Sequence, residues 1–524
     1  PAPPLTTCAR PRVAGVSRLG RVHSLGDTSR AITLCRRHPQ VHTGPSLWHR
    51  GHRGVSMKPK HIVRSFVLVM IGALALLAPL AAAGTAGAAD QRLWVRHFAY
   101  SDGNDFWTHI AAGPSGSVYV AGWGNAEALS ERAMVAKYTG SGRRVWVKTF
   151  AGFAGATMAT GLAVDARGNA FVIGSERYPS TPESHIFVMK LSSRTGKRVW
   201  LKRYDGPAPA GHDFAHDIAL GPKGAVYVTG TTTTADSGFD ALLLKYVDKG
   251  GSAAQVWKRT LRNASAPPLL DADEARRVVV DDDGRVFWAG KSDKGTGKYR
   301  AFVRRVTPAG KTVWTDRIAM DATESLGVID LELFPAGGVV VAGVRSPVPA
   351  TGTDTFVKRY TALGAARFLR VLAGPHDEIA YDLAVDPAGN IAVAGQLIDD
   401  VTHHATAWVV RGDAKFSGRW QKTYASSDPS QPAVFNALAM SPAGALFCGG
   451  RVNVGFITGN DFTMVKYSAT GGRRWVEVYD DLDANRSDEC RAVLYVGGDT
   501  PGVYGAGFGG ATDGGEALLV KYRR

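Results

Sequence analysis

A chain of 524 residues, 62 of them glycine and 45% hydrophobic, is too long for one ordinary compact domain unless a repeat extends a single fold. Its formal net charge of +16 is concentrated at one end: residues 1–89 hold 12 of the 62 Lys and Arg and one of the 46 acids, leaving 50 against 45, or +5, over the rest. So mild an excess leaves no electrostatic footprint for nucleic acid.

Residues 1–56 are rich in Arg, His, Pro and Ser without hydrophobic periodicity, and read as a disordered or untranslated leader. Residues 57–88 then place Lys58, Lys60 and Arg64 before an apolar run that ends in small residues, the order of a cleaved signal peptide. The competing reading is an uncleaved membrane anchor, against which Pro79 and the Ala/Gly-rich end argue. The expectation is a secreted, extracellular or cell-wall-associated monomer with no membrane segment after cleavage. Cys8 and Cys35 fall in the leader, so Cys448 and Cys490 are an even pair in an oxidising compartment: a disulfide, or a buried thiol at Cys448.

From residue 89 the chain repeats. "IALGPKGAVYVTG" reads as an apolar strand, a tight turn at Gly224, a second alternating strand and a terminating Gly230. Glycines six apart recur at 116/122, 168/174, 224/230, 284/290, 337/343, 389/395 and 444/450, with a shortened copy at Gly502 and Gly507. A third strand follows each hairpin and ends in Lys137, Lys190, Lys245, Arg305, Arg359, Arg411, Lys466 or Lys521. A fourth is marked by Trp146, Trp200, Trp257, Trp314, Phe368, Trp420 and Trp475.

Four strands per unit predict an all-β, eight-bladed propeller of antiparallel blades, with seven blades plus an irregular eighth unit as the other count. The repeat region opens on a fourth-strand sequence, "RLWVRHF", and ends on a third-strand sequence, "LLVKYRR". Pairing the two closes the ring and removes its open edges.

The motif "AHDIALGPKGAVYVTG", the third strand "DALLLKY" and the Trp after it resemble the bacterial secreted β-propeller repeat (SBBP) family over residues 90–524, least so in blades 4 and 8. The resemblance implies a secreted propeller and no single chemistry. "TGKRVW" (195–200) and "TGGRRW" (470–475) are also similar to the structural part of the blade motif in eight-bladed pyrroloquinoline-quinone dehydrogenases, but the adjacent cysteines seen in many of those enzymes are missing.

A residue kept in every blade serves the blade, whereas a departure in one blade can serve a site. Acids five places before the first-strand anchor (Asp105, Asp213, Asp273, Glu378 and Asp488) read as turn caps, with a carboxylate ring for cations or amines as the alternative. In blade 6, His376, Asp377, Glu378, Asp399, Asp400, His403 and His404 are enough ligands for calcium or another divalent metal, though polar surface loops need no metal. Trp107, His109, His212, Asp213, His216 and Asp217 would suit a small-molecule or sugar pocket at the channel mouth, or are unrelated loop residues. "DDDGR" (281–285) reads as a turn. The leading expectation is a non-catalytic module that binds a protein or a cell-envelope glycan. The alternative is a propeller enzyme, quinoprotein-like or a lyase or hydrolase.

Overall fold

The computed structural model describes residues 91–524 except 101–102, 126–130, 153–154, 179–182, 235–237, 263–271, 295–297, 319, 321–323, 347–351, 429–430, 454–458, 481–486, 499 and 512–513. The expected leader and signal peptide lie outside the described residues. Within them the chain forms eight four-stranded antiparallel sheets, so the eight-bladed propeller holds. Blades 1 to 7 occupy residues 105–150, 157–204, 213–261, 274–318, 325–372, 376–424 and 434–479. Blade 8 combines 489–522 with the strand Arg92–Phe98, which pairs with Gly514–Tyr522 as the outermost strand.

The two glycines of each hairpin have different physical causes. Gly224 takes a φ of 74°, which closes the turn without the steric cost a side chain would meet. Gly230 does not terminate its strand, which runs Ala225–Thr234. A Cβ there would lie 2.0 Å from the Phe214 carbonyl oxygen, beside a bulge in the first strand between Ala215 and Asp217. The second glycine therefore lets the bulged backbone come close. Blade 8 departs from the sequence reading: Gly498, at φ 80°, takes the turn, and Gly502 begins the second strand.

Apolar residues of adjacent blades interlock in eight clusters around the ring. The basic residue of the third strand and the aromatic residue of the fourth stand opposite each other and reach together into the following blade. Lys137 Nζ and Trp146 Nε1 both donate to the Ser193 carbonyl at 3.0 Å. Arg411 and Trp420 share the Ala469 carbonyl, and Lys190 and Trp200 share the Asp248 carboxylate. The recurring basic position thus clamps blade to blade.

The first strand of every blade touches the first strands of both neighbours, which makes a closed inner ring. Each carries one bulge at the same point, and charged groups just beyond it act on one another even across non-adjacent blades, as Arg277 does on His109.

Candidate functional site

The positions just past the eight bulges hold His109, Gly161, Asp217, Arg277, Asp330, Asp382, Ala437 and Ala492 in blades 1 to 8. Charge is thus confined to blades 3 to 6, where Glu332 adds a further carboxyl two residues along from Asp330. The three aspartates are each tied to the next blade or the previous one. Asp217 Oδ2 accepts the Val278 N–H at 2.9 Å, Asp382 Oδ2 the Leu438 N–H at 2.6 Å, and Arg277 Nε donates to Asp330 Oδ1 at 2.8 Å. His109 Nδ1 lies 2.9 Å from Thr108 Oγ1.

Protein surrounds these groups deeply, yet His109, Asp217, Arg277, Glu332 and Asp382 all keep some solvent contact. Burial pushes Asp217 up to about 6, with Arg277 opposing. Burial raises Glu332 and Asp382 well above the usual carboxyl range, and Asp330 raises both further. Burial, then Arg277, lowers His109 to about 4. Burial works against the Arg277 charge, but Asp330 and Asp217 outweigh it and hold the guanidinium firmly protonated. The arrangement stores protons on carboxyl groups around one fixed cation, which suits hydrogen-bond donation from neutral acids. Of the residues the sequence singled out, His109 and Asp217 belong here. Comparing one position across eight repeats would have exposed the rest.

On the blade edge where the first strands begin, a cleft of about 240 Å³ opens between blades 3 and 4. Its walls include Phe214 and Phe239, with ring centroids 6.4 Å apart, and its polar groups are His216, Thr231, Glu274 and Lys291. His216 Nε2 lies 3.1 Å from Thr231 Oγ1 and 3.4 Å from Glu274 Oε1. Burial lowers His216 to about 4. Burial opposes the Glu274 charge, but Arg276, His216 and Lys291 outweigh it and hold the carboxyl below its usual range. His212 stacks on Phe214 at 5.9 Å and 9°.

Trp107 does not join this cleft. It is fully buried between blades 8 and 1, stacked on Phe98 at 5.6 Å, and offers no face to a ligand. The acids before the first strands act largely as caps: Asp213 Oδ2 accepts the Gly206 N–H at 2.6 Å and Asp488 Oδ1 the Gly510 N–H at 2.7 Å.

In blade 6 the strand register sets His376 opposite Asp399, 3.5 Å apart, but the remaining residues scatter. Asp377 Oδ1 accepts the Thr353 N–H, and Asp399 Oδ1 caps Val401 and Thr402. Asp400, His403 and His404 are exposed on the turn, and Glu378 is buried beside Gly374. Burial pushes Glu378 up to about 7, with Asp354 and Asp377 adding to it. His376 and Glu378 line a cavity of about 330 Å³ between blades 5 and 6.

Cys448 and Cys490 are both free and buried, so the disulfide expectation is corrected. The reason is strand alternation: Cys448 faces the cluster between blades 6 and 7, whereas Cys490 joins the one between blades 7 and 8. In the "DDDGR" turn, Asp281 Oδ1 accepts the Arg285 N–H at 2.8 Å. Trp200, within the quinoprotein-like motif, serves the blade clamp.

No family model and no curated protein matches the chain. Among solved structures, the WD40 domain of SCAP from fission yeast is similar at 12% identity over 82% of this chain and 98% of its own, with a TM-score of 0.44. Polysaccharide lyase Uly1 is similar at 11% identity over 70% and 89%, with a TM-score of 0.43. An alpha-L-arabinofuranosidase from Fusarium graminearum is similar at 11% identity over 69% and 92%, with a TM-score of 0.37. What this chain is at the level of architecture rests on its own strand ladders: an eight-bladed β-propeller.

Proposed function

We propose that the chain is a secreted propeller of the SBBP-repeat type that works outside the cell as a non-catalytic binding module, and that it takes a sugar unit of a cell-envelope glycan in the cleft between blades 3 and 4. The supporting observation is the composition of that cleft, with two phenylalanine rings as an apolar wall and Glu274, His216, Thr231 and Lys291 as convergent polar groups. Sugars present C–H faces that pack on aromatic rings and hydroxyls that need both donors and acceptors. A volume of about 240 Å³ lies below the ~300 Å³ where clefts for drug-sized ligands begin, which suits one sugar ring of a chain passing over the surface.

Calorimetry of the full chain with solubilised cell-envelope glycans and defined monosaccharides tests this. Binding that weakens at least tenfold, about 1.4 kcal/mol, in Phe214→Ala and Phe239→Ala supports the reading. Indifference to every glycan, or equal affinity in both variants, overturns it. A second reading, an enzyme using the axial carboxyls as acid and base, is favoured by the raised pKa values of Asp217, Glu332 and Asp382. Shortening of the glycan during incubation, abolished in Asp382→Asn, would decide for that reading.

A further inference from the structure

A second group of side chains lies at the junction of blades 2 and 3, and shares no residue with the proposed glycan cleft. His185 is the second residue of the strand Ser184–Leu191, Asp205 follows the outer strand of blade 2, and Asp213 opens the first strand of blade 3. A parallel bridge between Ser184 and His212 ties the two blades together beside these residues. One donor atom from each of the three falls within 4.8 Å of the other two.

We propose that His185, Asp205 and Asp213 hold one divalent transition-metal ion of the zinc class. His185 Nδ1 lies 3.3 Å from Asp205 Oδ1. That separation equals the ligand-to-ligand edge of a tetrahedron built on bonds of ~2.0–2.1 Å, about 3.3–3.4 Å. His185 is 6% and Asp213 1% exposed, so two of the three ligands are fixed by the blade interface.

Asp213 supplies the independent observation. Its Oδ1 is buried with no hydrogen-bond partner among the described residues, an electron-pair donor that a cation at this place would satisfy. With the ion on Nδ1, the His185 ring keeps its proton on Nε2. Asp213 Oδ2 accepts the Gly206 N–H at 2.6 Å, a contact that orients the carboxylate as supporting bonds orient metal ligands elsewhere.

The donor set selects the metal. One imidazole and two carboxylates suit a borderline transition metal, whereas calcium takes six to eight oxygens, far more than converge here. The Asp205 side chain is 73% exposed, which leaves that side of the ion open to water or to a ligand atom. No other blade has histidine at this place, five residues before the third-strand basic residue; Arg, Asp, Thr and Glu stand there instead. The blade itself therefore has no need of histidine at this position.

The test is zinc binding by the untagged full chain, read by competition with a chromophoric chelator and by native mass spectrometry. The expected result is one zinc per chain, with affinity reduced about 10- to 100-fold in His185→Gln and several-fold in Asp205→Asn. His376→Gln and His403→Gln should bind as the parent does. Asp205→Asn alters an exposed side chain and keeps the test meaningful if a buried variant fails to fold. Absence of bound zinc, full affinity in His185→Gln, loss in His376→Gln instead, or displacement of the zinc by equimolar calcium would each overturn the proposal.

Discussion

Trp94 stands directly opposite Lys521 in the ladder that joins the first described strand to the last. Lys521 Nζ, buried with that strand, donates to the Gly140 carbonyl of blade 1 at 2.8 Å. The basic half of the clamp that binds each blade to the next is therefore repeated where the ring closes, whereas Trp94 Nε1 has no hydrogen-bond partner among the described residues. Lys521→Met keeps the apolar stem and removes the donor, leaving the Gly140 carbonyl without this bond. The expected loss is about 1–2 kcal/mol in urea unfolding. Deleting residues 91–98 should cost more than about 4 kcal/mol, because it strips a strand from blade 8 and leaves an open edge.

Arg277 holds the axial carboxyls together. Arg277→Met leaves Asp217, Asp330, Glu332 and Asp382 with no cation between them, and the expected destabilisation at pH 7 is about 2–3 kcal/mol. That figure is below the 3–5 kcal/mol of a sealed pair because Arg277 is one-third exposed. Adding Asp330→Asn should recover part of the loss, and a double-mutant cycle measures it. Strictly additive losses would mean that the Arg277–Asp330 contact is energetically idle.

Stability should depend on pH in two opposing ways. Glu378 titrates near 7 and Asp217 near 6 in the folded chain, above their unfolded values, with Asp382 and Glu332 also raised. The folded state then binds more protons than the unfolded one, so these groups withdraw stability as pH rises from about 4 to 7. His109 and His216, lowered to about 4, act in reverse and withdraw stability as pH falls from about 6.5 to 4. The four acids outnumber the two histidines, so the melting temperature should fall as pH rises from about 5 to 7. Glu378→Gln should flatten the decline between about pH 5 and 7.5, and an unchanged slope there would remove Glu378 from the account.

Cys448 and Cys490 are buried thiols whose pKa burial raises strongly, so neither offers a thiolate near neutral pH. A thiol reagent should leave both unmodified in the native protein and label both after denaturation, without prior reduction. Failure to label the denatured, unreduced chain at these positions would mean that they are bonded after all.

Much of the architecture was legible because a propeller repeats its reasons. Gly224 and its counterparts recur where a turn needs positive φ, and Trp146 and Lys137 recur where one blade must grip the next. The second glycine of each pair was visible, but its cause was not, since the approach of Gly230 to the Phe214 carbonyl depends on a bulge that no spacing announces.

The site was far less legible. Arg277, Asp330 and Asp382 sit inside strand sequences that look structural, and the mouth residues drew attention because loops are polar. Trp107 showed the limit clearly: an aromatic residue suited to stacking on a sugar is consumed by the core.

Local sequence by itself determined the four-stranded unit, its count of eight and the closure of Arg92–Phe98 onto Gly514–Tyr522, because turns, alternation and edge pairing are written within each repeat and at its two ends. Only the tertiary structure decided which side chains meet. Stacking eight blades in a ring brings His185 to Asp213 and Arg277 to Asp330 across blade interfaces, and burial there reshapes their charge in a way that no linear spacing encodes.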